Sequence, residues 1–480
     1  MTDGRQYHPR IQPGIIHPIP EYSATPTMTV SQIAILVGLV AALAHLLYSN
    51  FTTTLLVVNA VFILFYLGLS VYKFAIIFAS IRAHDQVALS PDVSLLRDDE
   101  LPAYTILVPL HQECEQVEPM VAALERLDYP KERLEALFLL EESDKETVEF
   151  CRRFPFPEFC RTIVVPHSKP QTKPKACNYG LTSATGEFLV IYDAEDRPDP
   201  DQLKKAVAAF QECGDDHTIC LQASLNFYNS KQNLITRWFT VEYSTWFDYY
   251  LPGLSRFGAP IPLGGTSNHF RIAALREVGG WDAFNVAEDC DLSIRLYRHG
   301  YRTRMLDSTT WEEACPHLGF WLRQRSRWIK GYLQTFLVHN RSPWRTMRSL
   351  GLKRFLHFQL LTGGMTLLHL LNPVYWTMAL LWFVFRWDIG AYFPASIFIM
   401  GFLCLFVGNF VFTYTSAVGC LRRERYDLVK WAMLIPPYWA LMSLAAWRAV
   451  WQLIVRPYHW DKTRHGLTSS HNSSSLGPAD

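Results

Sequence analysis

The sequence predicts a mainly parallel, doubly wound α/β domain, Rossmann-like in type, set between α-helical membrane segments. Three observations predict it. Short apolar runs alternate with amphipathic helical patterns from about residue 100 to 340, long apolar stretches flank that region on both sides, and three of the short runs end in acids.

Residues 1–29 hold several prolines and no apolar stretch, so they read as a tail and not as a cleaved signal. Residues 30–82 hold two stretches, about Val30 to Tyr48 and Thr53 to Ser80, each able to cross a hydrocarbon layer of ~30 Å as a helix. YSNFTTT between them lacks Lys and Arg whereas Arg82 follows the second, which places the loop outside and the next region in the cytoplasm. The chain of 480 residues is 49% hydrophobic with 15 Trp and 30 Phe, consistent with part of it lying in lipid. A net charge of +1 gives no global field for nucleic acid. Ten scattered cysteines without a C-x-x-C pair suit a reducing compartment and oppose a disulfide framework or structural zinc.

Residues 83–320 carry the α/β pattern. YTILVPL (104–110), EALFLL, RTIVVP and FLVIYD read as buried strands, and VEPMVAALERL and DQLKKAVAAF as the helices between them. Ligands of such sheets sit beyond the carboxyl ends of the strands. There the chain places His111, Gln112 and Glu113, then Glu141 and Glu142 ahead of Asp144, then Asp193 and Glu195 with Asp196. Any one polar strand end is an ordinary turn. Three acidic ends on one edge suit a hard divalent cation, Mg²⁺ or Mn²⁺, that also bridges phosphates. Neither G-x-x-x-x-G-K-[ST] nor a G-x-G-x-x-G after the first strand is present, which argues against a P-loop or dinucleotide site. TKPKACNYGL offers Lys173 and Lys175 to a diphosphate, although lysines that open a surface helix are commonly just solvated. PLGGTSNHFR reads as a glycine-rich segment before a helix. Glu288, Asp289 and Asp291 then crowd the start of another helix, where acids complement the dipole or supply a general base.

Residues 321–354 read as amphipathic interface helices, ending in the cationic run RSPWRTMRSLGLKR. Residues 355–458 form C-terminal membrane and interfacial helices, and 459–480 a cytoplasmic tail. The apolar blocks are Phe355 to about Arg386, about Tyr392 to Gly419, and about Leu428 to Val455. The basic loop CLRRERYDLVK and the basic tail both belong in the cytoplasm, so the Pro436-Pro437 block between them reads as interfacial or re-entrant, leaving four firm spans. The alternatives are two crossings in the block ending at Arg386, or a last block that spans after all.

Together these motifs resemble the membrane-integrated family 2 glycosyltransferases, which include cellulose, hyaluronan and chitin synthases. NVAEDCDLSIRL with PLGGTSNHFR looks most similar to a bacterial exopolysaccharide branch. The resemblance implies a GT-A-type domain in a multi-pass protein of the bacterial inner membrane, its catalytic domain cytoplasmic. It implies a donor site at Glu141 or Glu142 for the nucleobase, with His111 and Glu113 alongside, Lys175 at the diphosphate, and Asp193 with Glu195 at the metal. Asp289 is implied as catalytic base. The family's Q-x-x-R-W element is intact as Gln324, Arg327 and Trp328. It would put Arg327 toward the leaving diphosphate, Trp328 under the acceptor sugar and Gln324 on its hydroxyls. The chain departs from the pattern where D-x-D reads D-A-E, where T-E-D has Ala287 for Thr, and where His111 replaces an aromatic residue.

The implied activity is inverting transfer of a hexose from a nucleotide-diphosphate sugar, a UDP-sugar first, onto a growing β-linked polysaccharide at the cytoplasmic face. Two readings compete: a lipid acceptor, as in ceramide glucosyltransferases, and an inactive scaffold or transport subunit. The chain ends about twenty-five residues past the last apolar block, so no β-barrel-sized cyclic di-GMP receptor is expected. Such control would come through a regulatory or export partner, and self-association stays open.

Overall fold

The computed structural model describes residues 18–82, 88–385 and 394–461. The start of the expected tail, the stretch across Arg386 to Tyr392, and nearly all of the C-terminal tail lie outside these residues. Among the described residues one sheet holds β1 (Ala88–Leu89), β2 (Tyr104–Leu110), β3 (Leu134–Glu141), β4 (Cys160–Val165), β5 (Phe188–Ile191), β6 (Arg197–Pro198), β7 (Thr218–Phe227), β8 (Asn268–Arg271) and β9 (Arg302–Glu312). They run in the order β1-β9-β7-β8-β5-β2-β3-β4, with β6 on β9. β8 is antiparallel to β5 and β7, β6 is antiparallel to β9, and the remaining pairs are parallel.

β2 occupies the residues of YTILVPL, and it is covered on both faces, which is why the run is apolar without alternation. Chain order moves from β2 to β3 to β4 in one direction and then returns to place β5 on the other side of β2. That reversal opens a crevice at the carboxyl ends of β2 and β5, where doubly wound sheets bind ligands. PLGGTSNHFR does not lead straight into a helix as expected. Its NHFR forms β8, which satisfies the facing edges of β5 and β7 before helix Ile272–Glu277 begins.

Helices Val30–Ser49 and Phe51–Ile81 are long and apolar enough to cross a membrane; the first buries none of its residues, whereas the second packs Ile63, Leu69, Ile76 and Ile77 inward. Among the described residues these two qualify alone, where the sequence suggested four. The block from residue 355 is interrupted by a π-helical turn at Gln359–Gly364 before helix Met365–Phe385, and the next by one at Cys404–Gly408 before Asn409–Arg422. Tyr426–Met433 and Pro436–Val455 meet at 67°, the geometry of a broken span or a re-entrant loop, with the break at the prolines.

Two expectations need correction. Helix Leu318–His339 is no flat interface helix, since beyond its first residues it is enclosed between the sheet domain and helix Pro436–Val455. Exposed amphipathic character falls instead on Pro343–Leu350, with Trp344 60% exposed. Nor are residues 18–29 a loose tail. The Ala24 amide donates to the buried Asp282 carboxylate at 2.6 Å, and Arg341 donates to the Glu21 carbonyl at 3.2 Å. A buried carboxylate needs such donors, and the N-terminal segment supplies them.

Candidate active site

A cavity of about 850 Å³ opens at the β2–β5 crevice and continues into the helical bundle. His111 and Glu113 follow β2, on a turn where Gln112 takes a left-handed φ of 55°. That turn is latched by Asp144, which accepts from the Gln112 amide at 2.5 Å and lies 3.7 Å from His111 Nδ1. Asp144 also caps helix Lys145–Arg153, so it fixes the loop from beneath. Glu141, the last residue of β3, sends Oε2 to Lys175 Nζ at 2.8 Å and keeps a buried Oε1 without a hydrogen-bond partner.

The structure separates the two lysines of TKPKAC. Lys175, expected at the diphosphate, is sealed against Glu141 and the Pro166 carbonyl and does not line the cavity. Lys173 lines it, paired with Asp193 and donating to the Gly265 carbonyl at 2.8 Å. Burial opposes the Lys173 charge, but Asp193, Asp289 and Glu288 overcome it and hold the ammonium well above its ordinary range. Glu142 also stays out of the cavity and accepts the His167 amide at 2.7 Å.

Around Lys173 the acids crowd. Asp193 and Glu195 line the cavity beside Glu312 at the end of β9, and Asp196 lies buried behind them. Burial, then Asp196, Glu195 and Asp193, push the Glu312 carboxyl well above its usual range. Glu312 and Glu313, neighbours in TTWEEACP, were missed from sequence, because the preceding DSTTW is no apolar run of the kind that marks the other strand ends. Asp289 opens helix Glu288–Arg298, with a buried Oδ1 lacking any hydrogen-bond partner. Burial raises it to about 6, with Asp193 adding and Lys173 and Arg327 opposing. Burial and Asp289 together raise Glu288 to about 8.

Helix Leu318–His339 forms the opposite wall. Gln324, Arg327, Trp328 and Gly331 fall at i, i+3, i+4 and i+7, hence on one face. Arg327 donates to the Val286 carbonyl at 3.2 Å and stacks 4.2 Å from the Trp460 ring centre. Gln334 receives the Val286 amide at 3.0 Å. At Gly331 the helix touches the acid loop so closely that an added Cβ would fall 2.3 Å from that of Ala287. The Gln324 Oε1 is buried without a partner, and Trp328 packs on Phe239 and Tyr243.

Residues 188–460, more than half of the chain, match the family described as Glycosyl transferase family group 2, and residues 105–260 match Glycosyl transferase family 2. The chain belongs to glycosyl transferase family group 2. The chain is similar to a probable glycosyltransferase, YdaM, of Bacillus subtilis (strain 168), 29% identical over 239 residues; that stretch is 48% of this chain and spans only 56% of the relative's length. Its fold resembles that of the mannosyltransferase PcManGT from Pyrobaculum calidifontis, solved with GDP-Man and Mn²⁺, at a TM-score of 0.51 and 18% identity, covering 83% of this chain and 99% of that one. Residues 1–349 of S. aureus TarS, solved with UDP-GlcNAc, align at a TM-score of 0.36 and 14% identity over 70% of this chain and 91% of that one, too distant to carry an argument. The sheet of the chain is thus GT-A-like.

Among the described residues no three acidic, His or Cys side chains form a ready-made metal cage. The donor chemistry nevertheless fits a hard cation. Asp193 and Glu195 are two carboxylates in a site whose acids outnumber Lys173 and Arg327, and Mg²⁺ and Mn²⁺ are commonly held by one or two carboxylates plus substrate phosphates.

Proposed function

We propose that the protein is an inverting membrane transferase that moves a hexose from a UDP-sugar onto a growing β-linked exopolysaccharide at the cytoplasmic face of the bacterial inner membrane. The observation that carries this reading is one cavity lined both by the strand-end acids and by side chains of the helical bundle, with Asp289 and Arg327 among its lining residues; its part within the bundle is called the inner arm below.

In this reading the free Oε1 of Glu141 accepts from the donor nucleobase, and His111 and Glu113 border it. Lys173 takes the diphosphate role first assigned to Lys175, which keeps Glu141 in place. Mg²⁺ or Mn²⁺, held by Asp193 and Glu195, would supply charge neutralisation at the diphosphate. Asp289 Oδ1 takes the proton from the acceptor hydroxyl. The acceptor's hydroxyl oxygen bonds to the anomeric carbon as the bond to the diphosphate oxygen breaks, and a single displacement on an α-linked donor leaves a β linkage. Arg327 offsets the charge of the departing diphosphate. Trp328 and Gln324 lie on the acceptor side, as an apolar floor and a hydroxyl partner.

A lipid acceptor is the second reading, favoured by aromatic and aliphatic side chains along the inner arm, among them Leu361, Met365 and Met442. The test uses purified protein in nanodiscs with Mn²⁺, a panel of UDP-sugars, and both UDP release and product size as readouts. High-molecular-weight product from one donor supports the polysaccharide reading. UDP release only on adding a lipid acceptor replaces it with the glycolipid one, and silence with every donor overturns both.

A further inference from the structure

The inner arm of the cavity holds a lysine that the chemistry above does not use. Lys73 lies on helix Phe51–Arg82, nine residues before its end, or ~13 Å along the axis, deep within a hydrocarbon layer of ~30 Å. Its residue is 7% exposed and it lines the cavity. A lysine so far from the helix end cannot serve as a topology signal, and intramembrane charges are costly enough to mark function. Among the described residues Lys73 forms no salt bridge; its Nζ lies 4.6 Å from the centre of the Phe412 ring, a contact that returns only part of the desolvation cost. Glu242, which also lines the cavity, is taken by Arg325 and by the Tyr438 hydroxyl at 2.5 Å.

A second observation points to the same place. His369 lines the arm within electrostatic reach of Lys73 and Arg325, and its Nδ1 is buried without a hydrogen-bond partner. Asn372, Asn409 and Ser416 line the arm as well, as do the aromatic side chains of Phe412 and Trp439. Amide and hydroxyl groups next to flat rings suit a saccharide, whose hydroxyls need partners and whose ring faces stack. An acyl chain would leave those polar groups unsatisfied.

We propose that Lys73, with His369, forms an anion-binding station in the acceptor arm, and that the saccharide occupying it carries negative charge on carboxylates of acidic sugars. The inference rests on the transferase reading for the arm's role, while its central measurement does not need turnover. Binding to the protein in nanodiscs is measured for an oligosaccharide containing uronates, for the same oligosaccharide after its carboxyls are reduced to alcohols, and for a polyprenyl phosphate. The acidic oligosaccharide is expected to bind roughly tenfold or more tightly than the reduced one. Lys73→Met brings that ratio close to one, Lys73→Arg keeps it, and His369→Gln lowers it partway, with UDP binding read separately as a check that each variant is folded. Equal binding of the two oligosaccharides by the natural protein overturns the proposal, as does a ratio that survives Lys73→Met in folded protein. Binding of the polyprenyl phosphate alone overturns it in favour of a lipid anion. A preserved charge ratio with no sugar transfer from any donor leaves the station standing and sinks the transferase reading instead.

Discussion

Asp289 and Asp291 sit two residues apart in the first turn of one helix, and their surroundings are opposite. Asp291 faces inward, where Arg295 Nε donates to it at 2.7 Å and His339 Nε2 lies at 3.0 Å, all three side chains fully enclosed. Burial alone would raise its carboxyl, yet Arg295 and His339 hold it below the usual range. Asp289 faces the cavity with one oxygen unsatisfied and its carboxyl raised to about 6. A compensated acid fastens the fold, whereas an uncompensated one stores a demand that a ligand can meet. Lys175 and Lys173 repeat the contrast, one sealed to Glu141 and the other turned toward the acids of the cavity.

Substitution is the sharpest way to break that contrast. Asp289→Asn is expected to cut sugar transfer by about 10²–10⁴-fold, read as UDP release, with little change in thermal unfolding followed by Trp fluorescence. Asp291→Asn should do the reverse, costing about 3–5 kcal/mol because Arg295 loses its buried counter-charge, with the unfolding midpoint as readout. Equal loss of activity in both variants without destabilisation would dissolve the distinction. Gly331→Ala comes next, at about 1–3 kcal/mol together with lowered transfer, since the new methyl must displace the Ala287 loop.

The pH profile gives a smaller effect. Transfer should fall about tenfold per pH unit below about 6, as Asp289 gains a proton, and level off above it. A profile flat through that region would remove Asp289 as base. Smallest is a stability effect. Because Glu288 rises from its ordinary 4.5 to about 8 on folding, the folded protein binds the extra proton between those values, so stability declines as pH rises through that window. Mn²⁺ should therefore raise the unfolding midpoint by more at pH 8 than at pH 6, and no shift at either pH would argue against a cation among these acids.

Much of the site was legible because its signals are local. YTILVPL reads as a buried strand from its run of apolar residues, and Gln324, Arg327 and Trp328 share a face by helical spacing alone. Other features depend on distant partners. Which lysine of TKPKAC faces the cavity is decided by Glu141 two strands away, and no spacing within the hexapeptide encodes it. β8 has only four residues, too few for a period, and becomes a strand because β5 and β7 offer it two edges. The breaks in the C-terminal apolar blocks escaped hydropathy for a related reason, as π-helical turns alter backbone bonding without changing composition.

The missing side chain at Gly331 has a further consequence. Helix Leu318–His339 leans on helix Pro436–Val455 on one side and on the backbone before Asp289 on the other, with nothing soft between Gly331 and Ala287. A shift of the bundle would therefore press directly on the loop that carries Asp289. A soluble fragment cut before residue 318 would keep every strand-end acid, yet it would lose the wall bearing Gln324, Arg327 and Trp328 together with the strut that aims Asp289.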